Sequence, residues 1–158
     1  MKIVLASDHA GVALKKEVIE LLNDMGHEVE DLGPYDENPV DLSDYVYPAA
    51  LKVAKKEADR GIFIDGVGYG SAMIANRVLG CDAVVCQDPF CASLSRQHND
   101  SNVLCLGGKI IGPAIAMEIV RTWMTTDFLN EEKYLRRVKK VEEIAKKHLR
   151  PVNEVENA

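Results

Sequence analysis

Gly61-Ile62-Phe63-Ile64-Asp65-Gly66-Val67-Gly68-Tyr69-Gly70-Ser71 is the stretch that decides the fold. A short continuous apolar run is what a strand buried on both faces requires. The alternating glycines that follow let a chain turn tightly from strand into helix, with backbone amides open to a ligand. The same strand-to-helix alternation repeats on either side. Upstream, Ile3-Val4-Leu5-Ala6 precedes a stripe of Leu14, Val18, Leu21, Leu22 and Met25 that Gly26 terminates. Residues 28–32 predict a second strand, residues 33–42 a loop rich in acids and proline, and a helix follows from Asp44 or Pro48 to about Arg60. Downstream, Ala83-Val84-Val85-Cys86 predicts a fourth strand. Asp88-Pro89 caps a helix ending near His98, and Val103-Leu104-Cys105-Leu106 predicts the fifth strand. Gly112-Pro113 opens a helix with Ile115, Ile119, Val120 and Trp123 on one face, and a charged helix covers roughly 131–149.

Five such units predict a three-layer α/β, Rossmann-like doubly wound fold: a five-stranded parallel sheet with an extra C-terminal helix. The 158 residues suit one domain over 1–150, with a tail frayed from Pro151 to residue 158. In this architecture ligands bind beyond the carboxyl ends of the strands.

A net charge of −6 argues against broad nucleic-acid binding, which needs a basic surface. The apolar run at the N-terminus is too short for a secretory signal, and no stretch approaches a membrane span. Cys81, Cys86, Cys91 and Cys105 form no CxxC pair and have no histidine at zinc-finger spacing, so they read as free thiols in a reducing cytoplasm, with no metal site.

Three clusters carry ionisable groups to what this reading takes as one mouth: Ser7-Asp8-His9-Ala10-Gly11, Asp65 to Ser71, and Arg96-Gln97-His98-Asn99-Asp100. The glycine loop is neither GxGxxG nor a P-loop, which weighs against a nucleotide. Asp65, at a strand tip facing backbone donors, suits a general base. It equally suits a turn acid that bonds its own backbone. Asp8 can likewise be a helix cap, and His98 a core-edge residue. Lys133, Arg136, Arg137 and Lys140 form one cationic stripe, either a solvated face or a phosphate clamp.

SDHAG at 7–11, the GxGxG loop, ANR at 75–77, SRQHNDSNVLCLGGKIIG at 95–112 and RRV at 136–138 together resemble the ribose-5-phosphate isomerase B and galactose-6-phosphate isomerase family. The resemblance implies a cofactor-free aldose–ketose isomerisation of ribose 5-phosphate to ribulose 5-phosphate, or of a related sugar phosphate of four to six carbons: ring opening, then proton transfer through an enediolate. It implies His98 for ring opening and substrate contacts from Asp8, His9, Val67, Gly68, Ser71 and Asn99. It further implies anion stabilisation by Gly66 and Gly70, and phosphate binding by Arg137 and Lys133. It also implies a homodimer or tetramer in which two subunits share each site, the histidine segment and the C-terminal arginines being lent by a partner. Asp65 stands where the family has its proton-transferring cysteine, Val67 where a threonine is usual, and Ser71 where some members have a glutamate. Asp65 is therefore expected to act as the base. The alternatives are a subunit dependent on a cysteine-bearing partner, as IDGVGYGS resembles the A subunit of galactose-6-phosphate isomerase, or a sugar-phosphate-binding module without turnover.

Overall fold

The structure, a computed structural model, describes residues 1–155. Five strands, β1 (Lys2–Ser7), β2 (Glu28–Asp31), β3 (Arg60–Asp65), β4 (Ala83–Val85) and β5 (Val103–Gly107), pair in parallel in the order β2-β1-β3-β5-β4. Alternate side chains along each strand feed two cores. Ile3, Leu5, Ile62, Ile64, Leu104 and Leu106 face α1 (Val12–Asp24) and α5 (Pro113–Thr125), and Trp123 is fully buried among them. Val4, Ala6, Phe63, Val103 and Cys105 face α2 (Ser43–Ala54) and α3 (Tyr69–Ala75). Burying both faces explains why these strands read as unbroken apolar runs.

The remaining helices are α4 (Pro89–Asn99), α6 (Glu132–His148) and α7 (Val152–Val155). Asp88 caps α4 by accepting from the Cys91 amide at 2.8 Å. Element boundaries differ from the sequence expectation mainly at α2, which ends at Ala54, so that Arg60 already belongs to β3. Ile115, expected on the buried face of α5, is 48% exposed, and Ala116 takes the core position instead. The tail does not fray immediately after Pro151. Val152 begins α7 and packs against the second core, while residues 156–158 of that tail lie outside the described residues. No helix among the described residues is long and apolar enough to cross a membrane.

Strand order reverses between β1 and β3: the chain leaves β1 for β2 on one side and returns to β3 on the other. A crevice at such a switch point, beyond the carboxyl ends of the strands, is where this architecture holds small ligands. Asp8 follows β1 there, and Asp65 ends β3.

Candidate active site

Beyond β1, Asp8 opens a 3-10 turn over His9–Gly11, its Oδ1 accepting from the amides of Ala10 at 2.8 Å and Gly11 at 3.2 Å. The Asp8 amide itself donates to the Ile64 carbonyl at 3.1 Å, tying this turn to the tip of β3. His9 is half-buried, and its Nδ1 accepts from the Val40 amide at 3.4 Å. With Nδ1 acting as acceptor, the hydrogen of the neutral ring sits on Nε2, so His9 offers the cleft a donor.

Loop 33–42 supplies that amide and walls the cleft. Lys15, fully buried on α1, anchors the start of the loop by donating from Nζ to Asp31 Oδ1 at 2.5 Å and to the Pro34 carbonyl at 2.8 Å. Burial lowers the ammonium below its ordinary value, against the opposing pull of Asp31.

The glycine loop is organised by Asp65. One carboxylate oxygen accepts from the amides of Val67, at 2.8 Å, and Gly68; the other accepts from the Ser71 amide at 2.7 Å and the Ser71 hydroxyl at 2.9 Å. Gly68 holds φ +86°, a left-handed conformation that favours glycine, and its fold-back makes the shared acceptor possible. A carboxylate has about four lone-pair positions. All four are filled from within the loop, and the residue is 4% exposed. Asp65, expected as a base aimed at substrate, is thus hydrogen-bonded wholly within its own turn, the geometry of the other role its position allows. The amides of Val67, Gly68 and Ser71 are spent on Asp65. The amides of Gly66 and Gly70 have no partner among the described residues and stay open to an anion. Val67 keeps its side chain 39% exposed at the mouth.

Lys109 was missed by the sequence reading. Its amide donates to the Gly66 carbonyl at 3.0 Å, and its side chain runs within 3.6 Å of where a Gly66 Cβ would stand, placing a cationic chain over the loop. The signal was available, since Lys109 lies just past β5 and the strand-end rule covers it equally.

His98 and Asn99 belong elsewhere. β4 runs up to the mouth and α4 runs back, so its last turn lies at the opposite end of the sheet. Eleven residues of helix at about 1.5 Å each place that turn about 16 Å from the start of α4. The expectation of one shared mouth within the chain fails for this reason. His98 stacks on Tyr134 with ring centroids 4.5 Å apart and an interplanar angle of 10°. Lys133 Nζ and the Arg137 guanidinium lie 4.7 and 5.7 Å from the same ring centroid. Tyr134, also absent from the sequence reading, thus joins the histidine to the cationic stripe. Beneath them Arg96 pairs with Asp100 at 2.9 Å and donates to the Ser101 carbonyl, while Trp123 Nε1 donates to Ser101 Oγ at 2.9 Å. A cavity of about 650 Å³ lies at this end too, between α6 and the segment entering β4, with Asn99 and Arg137 among its walls.

Cys81, Cys86 and Cys105 are buried thiols. Burial pushes Cys81 up to about 12 and Cys86 up to about 11, and Cys105 is fully buried with its thiol also raised. No cluster of metal-ligating side chains occurs among the described residues.

An α/β fold with a glycine loop at its switch point, open amides beside it and a histidine–cation cluster at the far end is the frame in which the comparisons with known proteins fall. Residues 3–141 match the ribose/galactose isomerase family, and the chain belongs to it. It is 42% identical to ribose-5-phosphate isomerase B of Escherichia coli (strain K12) over 127 residues, covering 80% of this chain and 85% of that one. It is 37% identical to 4-deoxy-4-sulfo-D-erythrose isomerase of a Clostridium species, over 81% of each chain. Among solved structures it is similar to Clostridium thermocellum ribose-5-phosphate isomerase B, with a TM-score of 0.90 and 41% identity over 94% of this chain and 99% of the other.

Proposed function

We propose that this protein is an aldose–ketose isomerase acting on a small phosphorylated sugar, in a site that two chains complete together. One chain contributes the strand-end cleft, with Asp8, His9, Gly66, Gly70 and Lys109. Another contributes His98, Asn99, Arg137 and Lys133. The observation that carries this reading is the placement of the two groups at opposite ends of one sheet, farther apart than a phosphorylated tetrose or pentose reaches. A two-fold arrangement of identical chains brings one chain's far end to the other's mouth twice over.

Within such a site His98 is suited to the ring-opening proton transfer, and Arg137 and Lys133 to the phosphate, where a planar guanidinium matches two oxygens at once. The Gly66 and Gly70 amides and Lys109 are suited to the oxygen that gains charge in the enediolate. A tetrose or pentose is the substrate size we infer, from relatives named for ribose 5-phosphate and for a sulfonated erythrose. Free thiols throughout support a cytoplasmic setting.

A second reading has its own support. With Asp65 filled and no hydroxyl on Val67, the proton-transferring group would come from a cysteine-bearing paralogous chain. The test is to assay the purified chain alone on ribose 5-phosphate and erythrose 4-phosphate, then with such a paralogue added. Turnover by the lone chain supports the first reading; turnover only in the mixture supports the second. Silence in both refutes isomerase function on these substrates.

A further inference from the structure

We propose that Asp8, not Asp65, is the carboxylate that moves the proton between C1 and C2, an inference that rests on the isomerase reading above. The two acids are neighbours. Ser7 pairs with Ile64 across β1 and β3, and continuing that register one residue sets Asp8 beside Asp65 at the switch point. Their oxygens differ in what they carry. Asp65 has two donors on each oxygen. Asp8 has both of its donors, the Ala10 and Gly11 amides, on Oδ1, and among the described residues nothing donates to Oδ2. One oxygen fixes the plane of the group, and the other keeps its lone pairs for a proton.

The mounting is rigid. A Cβ on Gly11 would stand 2.3 Å from the Ile64 carbonyl oxygen, so the turn carrying Asp8 lies directly on the tip of β3 with no side chain between them. Apart from the acids of loop 33–42, the cleft groups named above are donors or already engaged. His9 has its Nδ1 lone pair engaged by Val40, Lys109 donates only, and the Ser71 hydroxyl is turned onto Asp65. Among the groups at the strand tips, Asp8 Oδ2 is left as the acceptor.

The step balances without a co-reactant. Asp8 Oδ2 takes the C2 proton of the open-chain aldose. The C2–H electron pair becomes the C1=C2 bond, and the carbonyl pair moves onto O1, beside the open amides and Lys109. The O2 hydroxyl proton passes to O1. The O2 pair then re-forms a carbonyl at C2 as C1 takes the proton back from Asp8, which is ionised again. Asp65 serves by holding the loop in place.

The test is Asp8→Asn, which keeps an oxygen for the Ala10 and Gly11 amides and so keeps the cap. In deuterated water with ribose 5-phosphate or erythrose 4-phosphate, we expect kcat and deuterium incorporation to fall together by about 10²–10⁴-fold, the usual contribution of a positioned base. KM should change only a few-fold, because substrate contacts persist. Asp8→Glu, which keeps a carboxylate, should exceed Asp8→Asn. Should the asparagine variant fail to fold, Asp8→Ser, another good capping residue without a basic carboxylate, replaces it. Label incorporation by Asp8→Asn within about tenfold of wild type overturns the assignment. So does a wild-type chain that is inactive alone, since Asp8 makes the chain self-sufficient; activity on adding a cysteine-bearing paralogue would then leave the isomerase reading standing while Asp8 fell.

Discussion

Replacing Asp65 with asparagine separates a clamp from a base, because the two roles lose different things. Asparagine has the shape of aspartate but offers one acceptor oxygen and one amide group. With its nitrogen toward Val67 and Gly68 both of those amides lose their acceptor; with its nitrogen toward Ser71 the hydroxyl turns to accept and the Ser71 amide alone is orphaned. A hydrogen bond to a charged group contributes about 1.5–3 kcal/mol. Losing one or two at a site only 4% exposed should therefore cost at least about 1.5–3 kcal/mol. A domain of this length loses about 2–4 °C in Tm per kcal/mol, so the transition should fall by at least about 3 °C. Thermal and urea unfolding followed by circular dichroism measure this directly. If Asp65 served only to accept a substrate proton, neutralising it would leave the folded state as stable as before. An Asp65→Asn protein melting within about 2 °C of wild type would refute the clamp.

Two other outcomes follow from the same contacts. Lys15→Met should cost about 1–3 kcal/mol for the orphaned Pro34 carbonyl alone, and by loosening loop 33–42 should free His9 from Val40 and raise KM more than it lowers kcat. Of the four thiols only Cys91 should alkylate in the native protein at pH 8. It should react more slowly than free cysteine, because its hydrogen bond to Asp88 raises the thiol; the rate should climb with pH, and Asp88→Asn should speed it. Peptide mapping after brief iodoacetamide treatment reads all four.

The layers of the fold were legible because burial on both faces leaves unbroken apolar runs, which turns and caps such as Gly26 and Asp88-Pro89 punctuate. Ile115 was misplaced because Ala116 also fits the stripe, and periodicity alone does not rank an alanine above an isoleucine. The site was half legible. Asp8, His9 and the glycine loop follow from the strand-end rule. Asp65 was ambiguous in sequence, since a base and a turn acid both stand at a strand tip; only the return of Ser71, six residues on, fills the last two lone pairs. Strand-end reasoning alone set His98 at the mouth, because it followed chain order and not direction: a helix between parallel strands must travel back, so its last turn leaves the mouth, and only the family resemblance assigned that histidine to a partner's site. Tyr134 hid among charges, its ring visible as a partner only once α6 lies across the end of α4.

Complementation tests the two-chain site most directly. His9→Asn disables the mouth and His98→Asn the far end, so each variant alone should be nearly inactive. Co-refolded in equal amounts, two-fold pairs should include hybrids with one intact site, restoring about a quarter of wild-type activity. A mixture no more active than its parts would contradict a site shared between chains.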